Sequence, residues 1–376
     1  MNDLAWIEIS KDDLIRNIKT IRQIVGDKII ISPCIKANAY GHGLVETAKI
    51  FISAGVEWLS VNSIEEAEKI RRAGINQPIL VMGYITEYEL EKVFDLDLKL
   101  FISNLEYAEK LSAIGKAKNK TAKVHLKIDT GMNRHGVLIE EAEDLAKKIN
   151  NLPYIKIEGL ATHFATSDDP SNPVYFNQQL EKFTAITTKI KKIVDYDLIV
   201  HCDKSASILL SRYEAGNLIR PGIATYGYYS SNDVAELSKA KNIILKPALT
   251  FKTRIGQIKN IPENSFVGYG YSYKTNRPTT MATIPVGYYD GYDRKLGNRG
   301  YVLVNGHRAQ ILGRICMNIS IIDITDCGQI SSGDEVVLIG RQGNEIITVE
   351  QIADWANTIN YEVITRLRES IPRYYI

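Results

Sequence analysis

The chain lacks most of the features that would mark it for several common roles. Its 376 residues hold four scattered cysteines, Cys34, Cys202, Cys316 and Cys327, with no CxxC pair. That usage points to reduced thiols and not to a disulfide framework. Six histidines form no HxxxH pair, so the ligand spacing of a zinc site is missing and no metal is expected. No apolar run reaches the length of a membrane span. The opening MNDLAWIEISKDD lacks the basic-then-apolar order of a signal peptide. A formal net charge of +2 leaves neither a nucleic-acid footprint nor a polybasic membrane patch. These absences predict a cytoplasmic protein with no nucleic-acid or membrane partner.

What is present is apolar material, 45% hydrophobic against 24% charged residues, enough for one large or two ordinary domains. Over residues 1–235 short apolar runs alternate with amphipathic helical stretches. The runs KIIISPCI, EWLSV, PILVMG, LKLFIS, KVHLKID, IKIEGLATH, DLIVHC and NLIRPGIATYG read as eight strands. Several are apolar almost throughout, as parallel strands covered on both faces are. Helix starts appear in SIEE (Ser63, Glu66), TEYE (Thr86, Glu89) and SNLE (Ser103, Glu106), each a capping-box pattern. Gly74 and Gly115 stand where two helices should stop. After Lys36, Leu44, Ala48, Phe51 and Ile52 form one apolar helix face. Eight βα units predict a TIM barrel, with a doubly wound sheet as the alternative.

From residue 236 to 376 the pattern changes. LTFKTRIGQIKNI, TTMATIPVGYY, RGYVLVNGHRAQILGRICMNISIIDI and GDEVVLIG alternate apolar and polar residues between Gly and Asn turns, which predicts an antiparallel β domain. One helix, TVEQIADWANTI, interrupts it. The opening AWIEIS, within residues 1–10, can pair with this second domain.

Barrel enzymes carry their chemistry at the C-terminal ends of the strands. There this chain puts Lys36 and Tyr40, Lys127 and Arg134, His163, Ser205, then Arg220, Gly222 and Ile223. Asp129 and Asp168 are the few carboxylates. A rim so rich in cations and donors suits an anion, a phosphate in particular. A lysine facing a phosphate site invites pyridoxal phosphate, whose aldehyde condenses with an amine. For any isolated lysine at a strand end, solvation alone is the simpler reading.

The strings IKANAYGHG, LKIDTGMNRHG, ATHFATSDD, IRPGIATYG, VGYG, VGYYDGY, GRICMN and INYEVITRL, in this order over essentially the whole chain, resemble bacterial alanine racemases. The resemblance implies a pyridoxal 5'-phosphate enzyme interconverting L-alanine and D-alanine, supplying D-alanine for peptidoglycan. Lys36 looks like the residue that holds the cofactor and the base on the D side; Tyr269 looks like the base for the L enantiomer. Tyr40, Ser205, Gly222, Ile223 and Tyr361 look like the phosphate cradle, and Arg220 like the partner of the pyridine nitrogen. His163 looks like a link from Arg220 toward Tyr269. Arg134 and the main chain at Met317 look like contacts for the substrate carboxylate or the cofactor O3′ region. The resemblance also implies a carbamylated Lys127 and a homodimer with composite sites, Tyr269 and Met317 reaching in from the other subunit.

Two-base racemisation needs a proton removed from one face of Cα and returned on the other. Free amines and phenols both titrate near pH 10, and a cationic surrounding favours the neutral amine and the ionised phenol. Other readings exist. Met317 and Cys316 would ordinarily be core residues of an apolar strand, and Glu65, Glu66, Glu68 and Lys69 a solvated helix face. A racemase for another small amino acid such as serine, a decarboxylase of basic amino acids, and a non-catalytic pyridoxal-phosphate carrier are the competing functions. Lys204 and Asn318 depart from the commoner family pattern, which has asparagine and aspartate there.

Overall fold

All eight runs read as strands become parallel strands. Leu59–Val61, Ile79–Val81, Leu98–Ile102, Ala122–Asp129, Ile155–Ala161 and Ile199–His201 pair in that order. Leu218–Ile219 pairs in parallel with Ile30–Ile31. Two joints connect the sets. Cys34 bridges Ser60, and Asn217 N–H donates to the Val200 carbonyl at 3.0 Å. The sheet thus curls round on itself, and the barrel expected from the βα series is the architecture found.

The computed structural model describes residues 3–211 and 216–376. They divide into a barrel unit, Asp12–Ala39 with Leu44–Pro247, and a sheet unit, Met1–Lys11 with Tyr40–Gly43 and Ala248–Ile376. No helix among the described residues is long and apolar enough to cross a membrane.

In the barrel unit the strand Ala122–Asp129 shows how sequence sets the interior. Side chains alternate across a strand. Val124, Leu126 and Ile128 are fully buried on one face, and His125, Lys127 and Asp129 follow one another on the other. His125 meets His201 from the seventh strand, so the polar face is the barrel interior. Gly159 makes room there, since a Cβ on it would stand 2.5 Å from His125 Nδ1.

Helix ends follow local chemistry. Ser63 Oγ accepts from Glu66 N–H at 3.3 Å, and Gly74 takes φ +78° just past Ile64–Arg72, a conformation glycine adopts without penalty. Two expectations are corrected. The helix Leu105–Lys118 is capped by Asn104, whose Oδ1 accepts from Tyr107 N–H at 2.9 Å, not by Ser103. It also runs through Gly115 to Lys118 and ends on left-handed Asn119. Gly115 serves packing instead, as a Cβ there would lie 2.9 Å from Tyr154 Cβ.

The sheet unit is antiparallel in the main. Ala5–Ile9 pairs antiparallel with Leu249–Arg254, which pairs with Glu335–Gln342. A second sheet joins Ile258–Ile261, Thr279–Ile284 and Ser320–Asp323. The helix Val349–Ala356 opens with a complete capping box: Thr348 N–H donates to Gln351 Oε1 at 3.0 Å, and Gln351 N–H to Thr348 Oγ1 at 3.1 Å. The run through Cys316 and Met317 is not one apolar strand. Strands occupy Tyr301–Val304, His307–Gln310 and Ser320–Asp323, and Gly313 at φ +68° turns the chain between the last two. Met317 is 55% exposed.

Candidate active site

Lys36 ends the first strand connection and starts a turn of the wrong hand. Ala37, Asn38, Ala39 and Tyr40 have φ of 53, 53, 52 and 51°, four consecutive non-glycine residues in the left-handed region. Crowding of Cβ against the next carbonyl costs about 1–2 kcal/mol for each such residue. Such strain persists only where surrounding contacts hold it, and it gathers at functional sites. Here Ala39 N–H donates to the Ile35 carbonyl at 2.8 Å, and Leu44 N–H to Asn38 Oδ1 at 2.9 Å. Ala37 N–H donates to Glu66 Oε1 at 2.7 Å. Glu66 is therefore not simply part of a solvated helix face.

The mouth of the barrel is cationic and mostly buried. Arg220, 4% exposed, donates Nη2–H to the Thr162 carbonyl at 2.8 Å and Nη1–H to the His201 carbonyl at 3.1 Å. Its Nη1 also contacts His201 Nδ1. Arginine has only donors, so His201 accepts at Nδ1 and carries its proton on Nε2. That proton faces His125 Nδ1 at 2.7 Å, which leaves His125 to donate from Nε2 to Glu158 Oε2 at 3.3 Å. Two neutral imidazoles thus link the guanidinium to a carboxylate. Burial raises the Glu158 pKa, but the hydrogen bond from His125 and the charges of Lys99 and Lys123 outweigh it and leave it lowered. His125, Glu158 and His201 were not singled out from the sequence. The signal available was the alternation of His125, Lys127 and Asp129 with apolar residues along the run KVHLKID.

His163, expected to link to Arg220, makes no such hydrogen bond: the guanidinium goes to His201 and Thr162. Burial first, then the charges of Arg220, Lys204, Lys127 and Arg134, holds His163 well below the usual histidine range. Lys127 is 5% exposed and its pKa falls to about 7, through burial and then the Arg220 charge. Asp129 organises the next loop, its carboxylate accepting from the N–H groups of Gly131, Asn133 and Arg134 at 2.8, 3.1 and 3.1 Å. Arg134 itself is exposed.

Buried neutral histidines make acid stability predictable. His125, His163 and His201 all have lowered pKa values, burial being the largest cause in each. Below the ordinary histidine value of about 6.5 the unfolded chain therefore binds protons that the folded chain refuses. Stability falls with pH in that window, by up to about 1.4 kcal/mol per pH unit for each group. Urea unfolding at pH 7.0 and 5.5 should show a clearly lower midpoint at 5.5. Equal midpoints would contradict the neutral assignments.

The last barrel residues converge on one point. Ser205 Oγ accepts from Gly222 N–H at 2.9 Å and from Ala224 N–H at 3.2 Å, while Ile223 is fully buried beside them. The two amides cradle the Ser205 oxygen itself, so what this cluster offers a phosphate oxygen is the Ser205 hydroxyl proton. Lys204 turns aside: its ammonium lies 3.2 Å from Asp168 Oδ1.

The sheet unit holds the remaining candidates. Tyr40 and Tyr361 lie with ring centroids 6.2 Å apart. Tyr269 is 70% exposed, on a turn where Gly268 and Gly270 take φ of +74 and +70°. The Met317 carbonyl accepts from Tyr289 N–H at 2.9 Å. In the barrel unit, four cations surround His163, and beside them lie a half-buried amine at Lys36 and the Ser205 cradle. That donor set fits a phosphate-bearing aldehyde.

Comparison with known proteins agrees. Residues 9–230 match the family model "Alanine racemase, N-terminal domain" and residues 248–375 the model "Alanine racemase, C-terminal domain". The chain is 41% identical to the alanine racemase of Halothermothrix orenii, over 99% of this chain and 96% of the relative. A solved alanine racemase from Clostridium difficile superposes with a TM-score of 0.93 at 35% identity, covering 100% of this chain and 96% of that one. The alanine racemase of Bartonella henselae, solved with covalently bound pyridoxal phosphate, gives 0.86 at 30% identity over 100% of both chains.

Proposed function

Because the chain belongs to the alanine racemase family, its activity is the isomerisation of alanine, and we propose that two bases carry it, Lys36 and Tyr269. The observation that carries this reading is the strained turn that presents Lys36 from the same barrel mouth as buried Arg220 and the Ser205 cradle. The cofactor of this reading is pyridoxal phosphate, as bound in the Bartonella henselae relative. Joined through its aldehyde to an amine, it supplies the electron acceptance that makes a Cα–H bond acidic.

The chain's own residues do the rest. Lys36 is the amine that would hold the aldehyde and, when free of it, the base that would exchange the Cα proton on the D face; Tyr269 would exchange it on the L face. Tyr40, Tyr361 and Ser205 offer hydroxyls to the phosphate, Ile223 offers its N–H, and Gly222 lends the N–H that also holds Ser205 Oγ. Arg220, held by His201 and Thr162, is the partner of the ring nitrogen. A guanidinium keeps its proton, so beside it the nitrogen would stay unprotonated and side reactions would be curbed. Neutral His163 stands beside that charge as part of the cofactor's surroundings. Arg134 and the Met317 main chain hold the substrate carboxylate.

Lys127 completes the mouth. An amine with a pKa of about 7 is largely neutral at working pH. Its nitrogen attacks carbon dioxide, forms an N–C bond and releases a proton. The carbamate then puts an anion beside the Arg134 charge. Tyr269 and Met317, 70% and 55% exposed, suit a homodimer in which each site borrows both from the other subunit. Buried free thiols at Cys34, Cys202 and Cys327 accord with a reducing, cytoplasmic setting.

The test is L-alanine in heavy water with the full chain and pyridoxal phosphate, following α-proton loss and D-alanine together. Exchange with D-alanine formation is expected. Exchange without inversion would remove Tyr269 from the reading. No exchange on alanine would overturn the activity.

A further inference from the structure

We propose that Glu66 is a positioning residue for Lys36, its carboxylate holding the left-handed turn from which the amine is presented. This rests on the reading of Lys36 as the amine that captures pyridoxal phosphate. Glu66 lies in the first turn of the helix Ile64–Arg72, one βα unit further along the barrel. In a complete capping box its carboxylate would return to the N–H of Ser63. It does not. Oε1 accepts from Ala37 N–H at 2.7 Å and Oε2 from Asn62 N–H at 2.7 Å. One carboxylate therefore ties the turn that follows Lys36 to the turn that follows the neighbouring strand Leu59–Val61.

The tie falls where the chain is hardest to hold. Ala37 is the first of the four left-handed residues and directly follows Lys36, so its peptide plane sets the direction of the Lys36 side chain. Other bonds of the segment, Asn38 Oδ1 from Leu44 N–H, Ala39 N–H to Ile35 and the Tyr40 carbonyl with His42 Nδ1, come from the segment's own neighbours. The Glu66 bond comes from another helix and fixes the turn relative to the barrel. Both donors are N–H groups, so both oxygens must accept. Glutamine cannot replace that: it keeps one acceptor and points an NH₂ donor at the other N–H.

The experiment uses the full chain freed of cofactor, mixed with pyridoxal phosphate. Samples are quenched with borohydride at intervals, and the adduct is located by peptide mass. Wild type should label at Lys36. Glu66→Gln should slow that labelling roughly tenfold with little change in the thermal midpoint of the unloaded chain. Adding Ala37→Gly, which removes the Cβ that makes a left-handed residue costly, should restore most of the rate. Unchanged labelling in E66Q overturns the assignment of Glu66 alone. So does a loss that tracks the thermal midpoint and is not restored by A37G. A wild-type adduct on another lysine would overturn the reading of Lys36 and this inference with it. Should E66Q fail to fold, amide exchange in wild type decides. Ala37 N–H should be protected despite its surface position, and free exchange there would end the proposal.

Discussion

Tyr269→Phe should racemise alanine more slowly by roughly 10²–10⁴-fold, the usual contribution of one positioned acid–base group. The loss must be equal in both directions. L- and D-alanine have the same free energy in water, so the equilibrium constant is one, and kcat/KM for the two directions cannot diverge. Proton exchange can diverge. With the phenol gone, the L enantiomer should stop exchanging its α-proton with heavy water. The D enantiomer, served by Lys36, should continue to exchange without inverting. A variant that exchanged L-alanine at the wild-type rate would show that Tyr269 is not the base. The same variant tests the shared site. Mixed and re-equilibrated with Lys36→Ala chains, it should recover up to about one quarter of wild-type activity. Half of the dimers are then mixed, and each mixed dimer assembles one intact pair of bases. No recovery would mean that each chain uses its own Tyr269.

The second large effect concerns stability. Lys127 is brought from 10.5 to about 7 by burial and by the Arg220 charge. The unfolded chain keeps this lysine protonated up to about pH 10.5, whereas the folded chain releases the proton above about 7. Between those limits the unfolded state holds more protons, so stability rises with pH. Below about 7 both states are protonated and the cost of burying the cation is present in full, on the order of 5 kcal/mol. In buffer free of carbon dioxide, Lys127→Met should be the more stable chain at pH 6. Its advantage should shrink by about 1.4 kcal/mol per pH unit above 7. Urea titrations at pH 6, 7, 8 and 9 measure this. A constant difference would mean that Lys127 keeps an ordinary pKa. In wild type, labelled bicarbonate should give a carbamate carbon signal that K127M lacks.

The reading of Glu66 shows where sequence reasoning stops. Its spacing from Ser63 announced a helix start, and the helix starts there. Where one of its two oxygens goes depended on a turn nearly thirty residues away. His201 and His125 make the same point. Nothing in HCDKSAS or KVHLKID says that two imidazoles from different strands will meet at 2.7 Å and relay the Arg220 charge toward Glu158. Gly115 and Ser103 erred in the other direction. There a local rule was read correctly, but a packing contact with Tyr154 and a better-placed Asn104 overrode it.

By itself the sequence determined the eight barrel strands and the kind of most elements. It marked the change from parallel to antiparallel strands and the residue types around the barrel mouth. These follow from periodicity and from side-chain chemistry, which are local. It did not determine which side chains share a hydrogen bond, which cation loses its charge through burial, or which backbone is forced into the left-handed region. Those depend on groups far apart in the chain being brought within a few ångströms and out of water. Only the folded structure fixes the partners and the local dielectric that decide them.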